Sequence, residues 1–299
     1  MLPTFFIVNP RSGNGNITRI IPLIRHHFEK AAIPFEIYLT KGPNDATLIA
    51  REKSAQFPIL VAVGGDGTIN EVVNGMSPSN VLGVLPMGSG NDFSKMLHLP
   101  KSTSEIIQVI ANQKSISIDL GQITAIDSKF QKSQKYFVNS VGIGLDAKVA
   151  FEAGKLPMLR GLTKYVVSAM KSIFTYSPGI SHVTFGTRES RGRHLLIAVG
   201  NGKSAGGGFY LTPEAEFDDG LLDICLAKDI SIVETLGIFP FVLKGRHGRF
   251  SKIEFGRSHR IEIESADNLP VHVDGEVIGL DHRTITIELK HRSIKVIVP

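Results

Sequence analysis

The chain has 299 residues, 42% hydrophobic and 20% charged, a balance that excludes disorder and suits a packed protein of two ordinary domains. Its single cysteine excludes an internal disulfide and argues against a cysteine-based zinc cluster. A net charge of +5 is mild for a nucleic-acid binder, and no interleaved aromatic and basic residues accompany it, so no nucleic-acid partner is expected.

Residues 5–9 read as a first strand that stops at Asn9-Pro10-Arg11-Ser12-Gly13-Asn14-Gly15. No basic flank or small-residue cleavage site precedes it, so a cytoplasmic location is expected. A helix follows over 17–31, then a strand over 35–40, a helix over 44–56, a strand over 59–63 and a helix from 68 to 74. A strand over 81–85, helices over 91–97 and 104–112 and a strand over 115–119 complete this half. Strands alternating with helices predict an α/β domain whose parallel sheet is covered on both faces. Such sheets bind ligands at the carboxyl ends of their strands, where all three Gly-rich turns fall.

The pattern changes near residue 120. Strands are expected over 118–125, 135–141, 181–187, 194–200, 221–227, 252–255, 260–265, 271–273 and 284–290, making a mainly antiparallel, β-sandwich-like domain. Helices are expected at 156–174 and 232–243, and apolar runs broken at Gly237, Pro240 or Lys244 are too short to cross a bilayer. The domains are expected at 1–125 and 126–289, with 290–299 free to return to the first. Cys225, in an apolar strand, reads as a core thiol.

Positive charge is uneven. Residues 153–188 carry Lys155, Arg160, Lys164, Lys171 and Arg188 with no acid, and residues 241–260 carry six cations against Glu254. Such patches suit phosphates or anionic lipid surfaces, or are simply solvated faces. The stretch 155–174 either lies on an anionic bilayer or packs over the β domain, with Met158, Met170 and Phe174 in the core. His26, His27, His194, His247 and His272 lack metal-ligand spacing and read as surface or capping groups.

The chemistry concentrates in two turns. Gly64, Gly65 and Gly67 remove side chains where backbone would pass under a phosphate, Asp66 stands among them, and Thr68 can cap the next helix. Gly88, Ser89 and Gly90, followed by Asn91 and Asp92, repeat the arrangement. An acid among glycines would repel bare phosphates, which points to phosphates bridged by a metal ion. No Walker A loop, dinucleotide fingerprint or protein-kinase motif set is present.

Taken together, Asn9-Pro10-x-Ser12-Gly13, the run from Gly64 to Gly75 and Pro86-Met87-Gly88-Ser89-Gly90-Asn91-Asp92-Phe93 resemble the diacylglycerol kinase catalytic domain of bacterial soluble lipid kinases. Sphingosine and NAD kinases are similar at a greater distance. Ile118-Asp119-Leu120-Gly121, Gly206-Gly207-Gly208-Phe209 with Asp218-Asp219-Gly220, and Asp274-Gly275-Glu276 extend the resemblance along nearly the whole chain. It implies ATP held by Asn9, Ser12 and the Gly64–Thr68 turn, with Thr40 near the adenosine. Asp66, Asp92 and Asp119 would organise Mg2+ and ATP, and Asp219 with the backbone of Leu221 would hold a structural magnesium. Asp274 would be the general base, with Asp66 competing for that role, and Glu276 would hold metal or phosphates.

The expected reaction is phosphorylation of a lipid hydroxyl in the cleft between the domains, at a membrane surface that the protein visits transiently. The resemblance allows a homodimer. An NAD kinase and a non-catalytic nucleotide- or lipid-binding module are the rival readings.

Overall fold

Thr4–Val8 is buried along its whole length and forms β1, an interior strand of a parallel sheet. The structure, a computed structural model, describes residues 1–13, 17–156, 159 and 161–299. It divides into two compact units, Met1–Ile118 with Arg292–Pro299, and Asp119–His291.

In the first unit, β1 is followed by α1 (Ile17–Lys30), β2 (Phe35–Leu39), α2 (Asp45–Lys53), β3 (Ile59–Gly64), α3 (Asp66–Gly75), β4 (Val81–Pro86), α4 (Asp92–Met96) and α5 (Thr103–Asn112). The strands lie in the order β4-β3-β1-β2, all parallel, and Lys295 and Val296 add a further parallel pairing beside β4. Phe6, Val8, Ile24, Phe28, Val61 and Ile107 belong to one buried cluster. Each such side chain contributes about 1.5–3 kcal/mol by leaving water. Because the strands are parallel, the turns after β1, β3 and β4 emerge on one edge. The start of α2 lacks a side-chain cap of its own. The Glu71 carboxylate on α3 accepts the Asn44 and Ala46 N–H groups instead, both at 3.1 Å.

The second unit contains β5 (Ser115–Asp127) from Asp119 onward, β6 (Lys132–Phe137), β7 (Ser140–Gly144), α6 (Leu145–Gly154), α7 (Gly161–Thr175), β8 (Ile180–Phe185) and β9 (Arg188–Gly200). It continues through β10 (Leu222–Lys228), α8 (Ile232–Val242), β11 (Ile253–Ser258), β12 (Arg260–Val273) and β13 (Glu276–Ile297) as far as His291. Its main antiparallel path runs β11-β10-β9-β7-β12-β13. Alternation along β10 sends Ile224 and Leu226 into the main β core. Cys225 and Ala227 belong instead to the clusters on the helical side, where α6, α7 and α8 pack.

Three local expectations change. The strand expected over 135–141 is two strands, because Val138 and Asn139 turn their N–H groups to the Asp274 carboxylate. Helix α6 was not anticipated, since its apolar stripe is short and opens directly from the glycine-rich end of β7. The helix expected from 156 starts at Gly161, and Phe174 on it is exposed rather than in the core. Met158 and Arg160 lie outside the described residues.

Helices α6 and α7 are tied by one acid. The buried Glu152 carboxylate meets Lys171 at 2.6 Å, Lys155 at 2.9 Å and Lys148 at 3.4 Å. Hydrogen bonds from Lys171 and then Lys155 pull its pKa from 4.5 down to about 2. A depressed carboxylate pKa stabilises the fold fully above the unfolded value and loses that contribution as pH falls through the folded one. Glu152→Gln is therefore expected to melt below the wild type at pH 7, and thermal melts should find the gap closing between about pH 4.5 and 2.

Candidate active site

The carboxyl ends of β1, β3 and β4 are knitted together by short polar contacts. Asn9 Nδ2 donates to Thr68 Oγ1 at 3.1 Å, and Asn9 Oδ1 accepts the Arg11 N–H at 3.0 Å. Gly64 is required because a Cβ there would overlap the Thr68 side chain. The two Gly-rich turns touch backbone to backbone: a Cβ on Gly88 would come within 2.6 Å of Gly65 Cα. Asn91, left-handed at φ 51°, brackets Gly88 by accepting its N–H and donating to its carbonyl, both at 2.9 Å. Asp66 Oδ1 accepts the Phe93 N–H at 3.3 Å, joining the start of α3 to the start of α4.

Beside these turns lies a polar hollow of about 630 Å³, lined by Asn9, Arg11, Thr40, Lys41, Thr68 and Glu71 among others. It gathers Asn9, Thr40 and Thr68 from three separate stretches of chain. Ser12 is half-buried in the Asn9 loop, while Gly67 and Ser89 are exposed at the tips of the two turns. Asp92 is buried and paired with Lys95 at 3.0 Å. Arg11 and Lys41 were not singled out from the sequence, although both sit beside named residues. They bring positive charge to the hollow.

Asp119 falls in the second unit. Its buried carboxylate accepts the Gly220 N–H at 2.7 Å and meets His291 Nδ1 at 2.8 Å. Asp119 thus anchors the loop that carries Asp219. Asp219 Oδ1 accepts the Leu221 N–H at 3.0 Å, and Oδ2 lies 3.4 Å from Arg257. Arg257 also donates from Nε to Asp223 and from Nη2 to the Glu214 carbonyl. A guanidinium therefore lies beside the carboxylate expected to hold a structural magnesium. Among the described residues no cluster of three acidic, histidine or cysteine side chains has metal-ligand geometry.

Asp274 occupies the turn after β12 with φ 48°. Its carboxylate accepts three buried backbone N–H groups, from Val138 at 3.1 Å, Asn139 at 3.0 Å and Ser140 at 2.8 Å. Its own N–H donates to the Ser140 carbonyl at 2.8 Å. Glu276 pairs with Lys135 at 2.9 Å. Three histidines expected at the surface are buried instead. His194 lies between Ser181 and Ser190 with its pKa pushed down to about 4, mainly by burial. His247 faces Cys225, and His272 meets Asp146 at 2.8 Å.

An apolar pocket of about 900 Å³, counting its open mouth, lies between α6, α7, α8 and the sheet. Val149, Ala169, Ile173, Leu195, Cys225 and Phe239 are among its walls, and Asp146, His272 and Gly275 contribute its polar lining. No local motif marks Asp146, which falls in the unanticipated helix α6.

Residues 3–123 match the family model described as the diacylglycerol kinase catalytic domain, and residues 139–298 match the YegS C-terminal NAD kinase beta sandwich-like domain. A diacylglycerol kinase of Staphylococcus carnosus is 30% identical over 278 residues, covering 91% of this chain and 88% of the relative. One of Bacillus subtilis is 28% identical over 280 residues, covering 92% and 89%. The crystal structure of a candidate diacylglycerol kinase from Bacillus anthracis aligns with TM-score 0.79 and 25% identity, over 99% of this chain and 97% of that one. Yeast NADH kinase, at 12% identity, TM-score 0.55 and coverage of 100% and 84%, shares the fold.

The Asp274 clamp has a measurable consequence. Asparagine at 274 keeps one acceptor oxygen but presents an amide donor to backbone N–H groups. Asp274→Asn is expected to lose about 1.5–3 kcal/mol of stability, the usual worth of a hydrogen bond to a charged group. Urea unfolding checks this, and a wild-type midpoint would rule the clamp out as a stabilising contact.

Proposed function

Since the chain belongs to the diacylglycerol kinase catalytic-domain family and is a phosphotransferase, we propose that it moves the γ-phosphoryl group of ATP to the hydroxyl of a diacylglycerol-like lipid. The observation that carries the lipid reading is the apolar pocket. A wall of Val149, Ile173, Leu195 and Phe239 suits an acyl chain and offers nothing to the phosphates and ribose of NAD.

Nucleotide binding is assigned to the first unit. Phosphates would meet the N–H groups at the start of α3, with Asn9 and Thr68 beside them and Arg11 and Lys41 neutralising charge. Thr40, across the hollow, suits the nucleoside. Magnesium bound with the nucleotide would neutralise charge between the phosphates, and Asp66 is the carboxylate placed to hold it, since such ions take few protein ligands. The protein's remaining task is alignment and the removal of one proton from the acceptor hydroxyl. Asp66 and Asp274 are the two carboxylates named for that task, Asp274 accepting three backbone N–H groups and Asp66 accepting that of Phe93.

Access to lipid is assigned to α7. Leu162, Val167 and Phe174 are exposed on it near Lys171, a combination suited to transient contact with an anionic phospholipid surface. No helix among the described residues is long and apolar enough to cross a membrane. A cytoplasmic location belongs to this same proposal.

Labelled ATP offered with diacylglycerol in mixed micelles, and in parallel with NAD, tests the reading. Labelled lipid is expected, with Asp66→Asn slower by about 10²–10⁴-fold. Label in NAD alone would replace the lipid reading by an NAD kinase, and bound ATP without any product would replace it by a binding module.

A further inference from the structure

His272 stands where three parts of the second unit meet. It lies on β12 in register with Gly142 on β7, and its ring is buried. Its Nδ1 accepts the Gly275 N–H at 3.2 Å. A ring nitrogen that accepts from an amide carries no proton, so the proton of the neutral imidazole sits on Nε2. That nitrogen donates to Asp146 Oδ2 at 2.8 Å. One ring thus fixes the first turn of α6 and the Asp274–Gly275 turn together.

The sequence makes room for this arrangement. A Cβ at Gly142 would overlap both the Asp146 carboxylate and the His272 ring. The left-handed Gly275, at φ 84°, directs its N–H back to the imidazole. Asp146 is partly exposed while His272 is almost fully covered. Both line the apolar pocket, where Asp146 brings the carboxylate. A carboxylate on an apolar wall is costly unless something donates to it. One oxygen has His272, and the proposed reaction would bring the acceptor's polar headgroup to the same pocket.

We propose that His272 is a positioning residue for the lipid acceptor: it aims Asp146 at the acceptor's hydroxyl-bearing headgroup and holds the Asp274–Gly275 turn against the same pocket. This rests on the pocket being the acceptor site. His272 touches no reacting atom and acts through Asp146. Its loss should therefore alter lipid kinetics and leave nucleotide binding alone.

Two substitutions separate aim from bulk. Glutamine can donate to Asp146 and accept from Gly275, whereas leucine fills similar space and does neither. With ATP and diacylglycerol mixed micelles, His272→Leu is expected to lower kcat/KM for lipid by about 10²-fold, the scale of a small misalignment. The KM for ATP should stay at the wild-type value, and His272→Gln should recover most of the loss. Asp146→Asn should fall similarly, and adding His272→Leu to it should cost little more, as expected for residues acting as one unit.

Wild-type lipid kinetics in a folded His272→Leu protein would overturn the proposal. So would equal losses in the leucine and glutamine variants, additive losses in the double variant, or a raised KM for ATP. If His272→Leu does not fold, Asp146→Asn and His272→Gln carry the same test, with loss in the first and retention in the second required. A wild-type protein that phosphorylates no lipid overturns the acceptor reading as well, whereas lipid product with an unaffected His272→Leu overturns only the role of His272.

Discussion

A buried amide that finds no partner costs as much as a lost hydrogen bond, and the second unit contains three such amides in a row. Val138, Asn139 and Ser140 cannot continue one strand and also let β7 start beside β12. The Asp274 carboxylate resolves the conflict by taking all three N–H groups. That single acceptance ends β6 and begins β7. It thereby fixes where Gly144 launches α6, and with it the wall of the apolar pocket. An acid that motif reasoning associates with proton transfer is also the bracket on which local chain geometry depends.

The first unit solves a different problem with different means. Its polar turns are short, and glycine rather than charge lets them pack. Gly65 and Gly88 touch through their backbones, and Asn91 satisfies the exposed peptide groups of Gly88 with its own amide. The result is a rigid rim of polar atoms on a parallel sheet whose interior is apolar. Electrostatic stabilisation of a phosphoryl group needs donors that are already in place when the charge arrives. In the proposed reaction, turns held by backbone contact and side-chain amides would meet that need.

Much of this was legible in the sequence because the signals are local. The alternation of strands and helices up to residue 112, and the spacing of Gly64–Thr68 and Gly88–Asp92, depend on neighbours a few residues apart. What escaped is non-local. Asp146 and His272 are 126 positions apart and meet only through the pairing of β7 with β12. The burial of His194, His247 and His272 is likewise invisible in the sequence, where nothing in their spacing separates a core group from a surface or capping one. Asp119 meets Gly220 and His291, partners that only the tertiary fold brings to it. Arg257 is another long-range arrival, beside Asp219.

The strand pairing beside β4 bears on how the polypeptide can fold as it leaves the ribosome. Met1–Ile118 is synthesised before the second unit, whereas Lys295 and Val296, which pair with the edge of its sheet, follow that unit. Until they arrive, Val81 and Leu82 keep an open edge, a surface prone to pairing with other chains. Translation of the whole intervening β unit is thus the waiting time before that edge is covered.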